Sequence, residues 1–154
     1  MKQVIDGITL YRALSDLARR YQFRNREEVC CYGLTVSQCY ALQALAEEDV
    51  LESSDLATRL GLDISTTTRL VDQLVRKKLA IRRRGTEDAR VREIELTRTG
   101  RRLISRIEED FAKFLSASLA DLPPAVRESL PEVIRRLARV LECGNTGTGC
   151  EVVR

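Results

Sequence analysis

Residues 63–97 read DISTTTRLVDQLVRKKLAIRRRGTEDARVREIELT, a helical pattern followed at once by a basic hairpin pattern. Asp63 is a strong helix N-cap residue, because its carboxylate can accept from the free amides of the first turn. Ile64, Leu70, Val71, Leu74 and Val75 then recur near helical spacing and define an apolar face. The other face carries Ser65, Thr66, Thr67, Arg69 and Gln73, side chains able to hydrogen-bond base edges in a major groove. Beyond the helix, AIRRR (80–84) and VREIEL (91–96) have strand character, and the polar GTEDAR (85–90) is a turn between them. Arginines therefore sit at the base of the hairpin, Arg83 and Arg84, and at its tip, Arg90. A recognition-type helix with a basic hairpin behind it predicts a winged helix-turn-helix: a mainly α fold with a small β-wing.

Charge supports the same placement. The chain carries 26 Lys and Arg against 23 Asp and Glu, a net charge of +3. Residues 76–92 alone hold eight basic and two acidic residues, so the remainder is slightly acidic. A basic patch on an acidic body is the footprint expected of a duplex-binding face. Its neighbouring helix disfavours the plainer reading of a solvated charged hairpin. At 154 residues the chain has room for one domain with a real core, and none for a separate enzyme domain beside a DNA reader. The start, MKQVIDGITLYRALSDLARRYQF, lacks a charged n-region followed by an apolar run, and no stretch reaches membrane-spanning length. The expectation is a cytoplasmic protein with no membrane partner.

Working outward, residues 3–21 predict a first helix, on Ile5, Ile8, Tyr11, Leu14, Leu17, Ala18 and Tyr21. The pattern lapses over FRNREEVCCYG (23–33), and Thr35 with Gln38 then forms a capping-box signature for a second helix running to about Glu48. Its inward residues are Val36, Cys39, Leu42 and Leu45. LESSDLATRLG (51–61) predicts a short third helix capped by Ser53 or Ser54, with Leu56, Ala57 and Leu60 inward and Gly61 as its stop. After the wing, Thr97 caps a long helix with the stripe Leu103, Ile104, Ile107, Phe111, Phe114, Leu115 and Leu119, ending before Pro123 and Pro124. A last helix turns Val126, Leu130, Val133, Ile134, Leu137, Val140 and Leu141 inward. Pro131 predicts a kink or restart near Leu130. Residues 143–154, CGNTGTGCEVVR, read as a flexible cysteine-containing tail.

LGLDISTTTRLVDQLV, DAR and ELTRTGRRL together resemble the signature of MarR-type transcription regulators, and the resemblance covers nearly the whole chain. It implies that the helix from about Ser65 to Lys77 enters the major groove, and that Asp88 and Arg90 place an arginine in the minor groove. A short strand near Val50 to Glu52 would complete the sheet of the wing. Residues 1–33 and 98–142 would interlock with those of a second copy, leaving 34–97 as the reading head. The implied molecule is a homodimer on a pseudo-palindromic operator, with half-sites about one helical turn apart. Such a regulator, a repressor, lets go when a small effector near the junction of helices one and two alters the separation of the heads. One departure is Lys78, where the family usually has glycine: it must take a left-handed cap or end the helix differently.

No histidine occurs in the chain, which removes the commonest general base and the commonest partner of a nucleophilic serine or cysteine. Nor is there a glycine-rich phosphate loop, a C-x-x-C pair or a metalloprotease helix, so no enzyme is expected. What remains is Cys30, Cys31, Cys39, Cys143 and Cys150. Cys39 has a plain reading, as a small apolar residue stapled to Leu34. It also has a chemical one, joining Cys30 and Cys31 at a helix start that favours thiolate. Three thiolates without nitrogen ligands suit a soft metal or metalloid ion, arsenite or mercury, with Cys143 and Cys150 as extra ligands or unused. Thiol-oxidation sensing, and inert cysteines beside an organic-ligand effector, are the alternatives. A thiol-dependent enzyme or peroxide scavenger is disfavoured because neither a resolving motif nor a base accompanies the thiols. A winged helix used for protein contact would not need arginines at both base and tip.

Overall fold

A computed structural model describes residues 6–85 and 92–142, apart from the side chains of residues 23–31 and 142. The elements run α1 (Gly7–Cys31), α2 (Val36–Glu48), β1 (Val50–Glu52), α3 (Ser53–Leu60), α4 (Ile64–Arg76), β2 (Ala80–Arg84), β3 (Arg92–Leu96), α5 (Arg98–Ser118) and α6 (Pro124–Glu142). Two compact units divide the chain, Met1–Glu109 and Asp110–Arg154.

Within the first unit, β3 is the central strand of an antiparallel sheet ordered β1-β3-β2. Leu51 faces Ile94 across one ladder, and Ala80 faces Leu96 across the other. A short strand at Val50–Glu52, expected from the resemblance, is therefore the third strand of the wing sheet. Beneath it, Leu42 and Leu45 of α2, Leu56 of α3, Val71 and Leu74 of α4, Ile94 of β3 and Ile104 of α5 are fully buried. Truncating any of these leucines to alanine removes buried apolar area and leaves a cavity, which costs about 2–5 kcal/mol.

Local chemistry explains most element ends. α2 begins with the capping box: Thr35 Oγ1 accepts from the Gln38 amide at 3.2 Å, and Gln38 Oε1 accepts from the Thr35 amide at 3.2 Å. Thr97 caps α5, its Oγ1 accepting from the Gly100 amide at 3.0 Å. Gly61 ends α3 at φ 62°, with its own amide on Thr58 O and the Leu62 amide on Ala57 O. Pro124 opens α6 at a position where the missing N–H costs nothing.

Four sequence expectations are corrected. α1 does not stop at Tyr21 but continues to Cys31, and it is capped by Asp6, which accepts from the amides of Ile8 and Thr9. The lapse in apolar spacing after Tyr21 ends the stripe, not the helix, because the backbone bonds need no apolar repeat and Arg and Glu have good helix propensity. α3 takes Glu52 as its N-cap with no side-chain cap bond, since Ser53 and Ser54 are already helical where the chain leaves β1. α6 runs unbroken through Pro131 without a restart. Its stripe is also not covered: Val126, Val133, Ile134, Val140 and Leu141 are exposed, and only Leu130 and Leu137 are half-buried. The flexible tail expected over residues 143–154 lies outside the described residues.

Lys78 resolves the expected departure by taking the left-handed conformation, φ 60°. The α4 terminus closes as at Gly61, with the Lys78 amide on Val75 O and the Leu79 amide on Leu74 O, both at 2.9 Å. A side chain bearing Cβ pays about 1 kcal/mol to sit there. Lys78→Gly is therefore expected to raise stability by about 0.5–1 kcal/mol, read as a higher urea midpoint at unchanged slope. An unchanged or lower midpoint would mean that this cap is not strained.

Candidate nucleic-acid interface

α4 presents most of the expected reading face. Ser65, Thr66, Arg69 and Gln73 are exposed, while Leu70, Val71 and Leu74 point into the core. Asp63 organises the start of the helix: its carboxylate accepts from the hydroxyls of Ser65 and Thr66 and from the Thr66 amide at 2.8 Å. Those bonds, the Ser65 hydroxyl first and then those of Thr66, hold the Asp63 carboxyl well below the usual carboxylate range. The cap thus stays charged at neutral pH, and its contribution is lost only as pH falls below that range. Both hydroxyl protons are turned towards Asp63, so Ser65 and Thr66 offer acceptor oxygens outward.

Three assignments on this helix change. Thr67 does not belong to the reading face: it is 0% exposed, and its hydroxyl donates to Asp63 O at 3.0 Å. It stands three and four residues before Leu70 and Val71, which puts it on the apolar side, and the carbonyl four residues back satisfies its one donor. Ile64 is 61% exposed despite being assigned to the apolar face, since its first-turn position carries it past the edge of the core. Val75 is likewise exposed.

The wing is anchored by its first arginine. Arg82 pairs with Asp72 of α4, and its other terminal nitrogen donates to Thr68 O at 2.9 Å. This guanidinium joins β2 to the recognition helix and is occupied in doing so. Arg83, on the opposite face of the strand, pairs with Glu95 at 3.1 Å, which neutralises much of its charge. Arg84 differs, for it lies directly opposite Arg92 in the ladder, and both are exposed. Like charges facing each other across strands are destabilising, and an anion held between them would relieve the repulsion. Asp88 and Arg90 lie outside the described residues.

Residues that sequence reasoning did not assign to the interface secure it from behind. Gln38, only 3% exposed, donates from Nε2 to Gln73 Oε1 at 2.8 Å. Lys77 donates to the carbonyl of Gly33, in the turn between α1 and α2. The capping box signalled Gln38's role in α2, but nothing local signals a partner 35 residues away. Arg82 counted only as part of the basic patch, and the i to i+10 spacing to Asp72 carries no periodicity that would pair them.

Cys39 is 1% exposed and lies with Leu34 in the same apolar cluster, as the staple reading requires. Burial pushes its thiol up, and the charge of Glu108 pushes it further. This is opposite to the thiolate expected from its place near a helix start, because desolvation outweighs the helix dipole. Cys30 and Cys31 fall in the last turn of α1, with their side chains outside the described residues, as Cys143 and Cys150 are altogether. Among the described residues, no three cysteine or acidic side chains are grouped to hold a metal ion. With the other four cysteines changed to serine, Cys39 is expected to alkylate only as fast as the core opens. Labelling of the native protein as fast as in urea would show the thiol to be free.

No described helix is long and apolar enough to cross a membrane. Comparison with known proteins agrees with the geometry. The family model described as MarR family matches residues 34–91, from the end of the α1–α2 turn through the wing. The HTH-type transcriptional regulator YdgJ of Bacillus subtilis (strain 168) is 31% identical over 107 residues, 70% of this chain and 65% of that protein. The HTH-type transcriptional repressor MdtR of the same strain is 31% identical over 98 residues, 64% and 62% of the two chains. Both matches thus span slightly less than two thirds of the relative's length. Among solved structures, a MarR family protein from Bacillus stearothermophilus superposes with a TM-score of 0.79 at 30% identity, covering 88% of this chain and 94% of that one. A recognition helix capped by Asp63, a three-stranded wing tied to it by Arg82 and these likenesses converge: the chain belongs to the MarR family of winged helix-turn-helix transcriptional regulators.

Proposed function

We propose that the protein is a cytoplasmic, homodimeric repressor that binds a pseudo-palindromic operator and releases it when a small effector binds. The observation that carries this is the exposure of Ser65, Thr66, Arg69 and Gln73 on α4 together with that of Arg84 and Arg92 on the wing. A helix of exposed polar side chains followed by exposed wing arginines suits base edges bordered by phosphates. The dimer reading is supported by apolar side chains left exposed in the single chain, Ile8, Tyr11 and Leu17 on α1 and Val133, Ile134, Val140 and Leu141 on α6. A repressor of this family among the relatives favours release over activation as the outcome.

Salt-dependent binding to duplex DNA tests the class, since phosphate contacts displace counterions and steepen the loss of affinity with salt. Arg90→Ala is expected to weaken binding to all sequences and to reduce the preference for narrow, A·T-rich flanks. Asp88→Ala should do less. Arg90→Ala binding as tightly as the parent at moderate salt would remove the wing from the interface. Sedimentation should give a dimer at micromolar concentration, and a stable folded monomer would refute the dimer.

The effector readings divide on Cys39. A three-thiolate site for arsenite or mercury on Cys30, Cys31 and Cys39 would need Cys39 to leave the core and lose its proton, which its burial opposes. Thiol-dependent release, by a soft ion or by oxidation, would then run through Cys30 and Cys31. Titrating reduced protein on operator DNA with arsenite, mercuric ion and peroxide tests this. Release that survives serine at both positions moves the thiol reading to the other cysteines, and no release by any of the three turns the search to organic ligands.

A further inference from the structure

The buried amide of Gln38 sits in a chain of hydrogen bonds that leaves no freedom in its orientation. The Thr35 amide can only donate, so the Gln38 atom that it meets at 3.2 Å is Oε1. Gln38 Nε2 is thereby turned to the recognition helix, where it donates to Gln73 Oε1 at 2.8 Å. Gln73 is exposed on α4, and with its oxygen held towards Gln38, its amide nitrogen is the group left for the groove. A free glutamine reads adenine by offering both an acceptor and a donor. Gln73 is not free in this sense, because a bond anchored on the backbone of the α2 cap holds its acceptor.

We infer that Gln38 is a positioning residue for sequence recognition, fixing Gln73 as a hydrogen-bond donor that selects an acceptor-bearing base edge, guanine, thymine or adenine, over cytosine. Cytosine offers only the N4 donor in the major groove, so it would meet the Gln73 amide donor to donor. Gln38 itself touches no DNA and acts wholly through Gln73. The inference rests on the DNA-binding reading above and adds to it the determinant of one operator position.

Gln38→Glu tests it with little change of shape. Glutamate serves the capping box as well as glutamine does, so the Thr35 amide keeps its acceptor. A carboxylate cannot donate to Gln73, and the Gln73 amide must turn its nitrogen inward and its oxygen outward. Random duplexes selected by the purified full chain should then show one position changing from an acceptor-bearing base towards cytosine. The expected shift in relative preference is about tenfold, the other positions staying as they were. Gln73→Glu is the surface counterpart and carries the test should Gln38→Glu melt early. One carboxylate oxygen still accepts from Gln38, the other faces the groove, and the same position should move towards cytosine. An unchanged consensus in folded Gln38→Glu and Gln73→Glu protein overturns the inference, as does a uniform loss of affinity at every position in both. A parent protein that selects no duplex at all instead overturns the DNA-binding reading on which the inference stands.

Discussion

Alanine at position 100 is expected to destabilise the protein by about 3 kcal/mol, the upper end of what overpacking costs. Gly100 lies buried in the first turn of α5, and a Cβ there would stand 2.0 Å from Leu79 O and 2.9 Å from the Leu79 carbonyl carbon. That oxygen is held in place, because it accepts from the Thr97 amide at 3.0 Å while the Thr97 hydroxyl donates to the adjoining Lys78 O at 2.7 Å. Moving it would undo the helix cap and the end of β3 together, since the same Thr97 hydroxyl caps Gly100. A backbone group cannot rotate aside as a flexible side chain would, so the junction of wing and helix must open. Urea unfolding followed by far-ultraviolet circular dichroism measures the loss. Gly7→Ala is the control, for nothing lies within 4 Å of a Cβ there. A cost at Gly100 no greater than at Gly7 would contradict the seating of α5 on Leu79.

Arg92→Glu is expected to move folding and binding in opposite directions. In the free protein Arg92 faces Arg84 across the ladder, and replacing this repulsion with an opposite-charge pair should add a few tenths to about 1 kcal/mol of stability. On DNA the same change removes a phosphate ligand and engages its neighbour in an internal pair. Affinity for every duplex should fall about tenfold or more, the usual worth of a charged hydrogen bond. The double alanine variant, Arg84→Ala with Arg92→Ala, should lower the salt slope by about 2. Arg83→Ala, by contrast, removes a guanidinium already paired with Glu95 and should change the slope less. A salt slope that ignores the Arg84 and Arg92 pair would show that phosphates do not reach this face of the wing.

Much of the reading head was legible in the sequence because its instructions are local. The caps at Thr35, Asp63 and Thr97 and the stop at Gly61 act on amides or carbonyls within a few residues, and Leu70, Val71 and Leu74 repeat at the helical period. Their hydrogen bonds close within one turn, so spacing alone identifies them. The same locality misled at α1, where a missing apolar stripe was taken for a missing helix. At Thr67 a polar side chain was taken for an exposed one, although the helix offered it a carbonyl partner inside the core.

Which arginines and glutamines keep an unsatisfied group was a tertiary matter. Arg82 is spent on Asp72 and Thr68 O, Arg83 on Glu95, and only Arg84 is left opposed to another arginine, a distinction invisible in the run of three. Strand register decides it, because alternate residues point to opposite faces and meet different partners. Gln73 bonds to Gln38 only because α2 crosses behind α4, and the Cys39 thiol is pushed up, away from thiolate, because the core around it excludes water. The sequence by itself determined the caps that open α2, α4 and α5 and the winged-helix order of the elements. Only the folded chain decided what each polar group on that surface still has to offer, since a donor or charge already satisfied by a distant partner is no longer available to DNA.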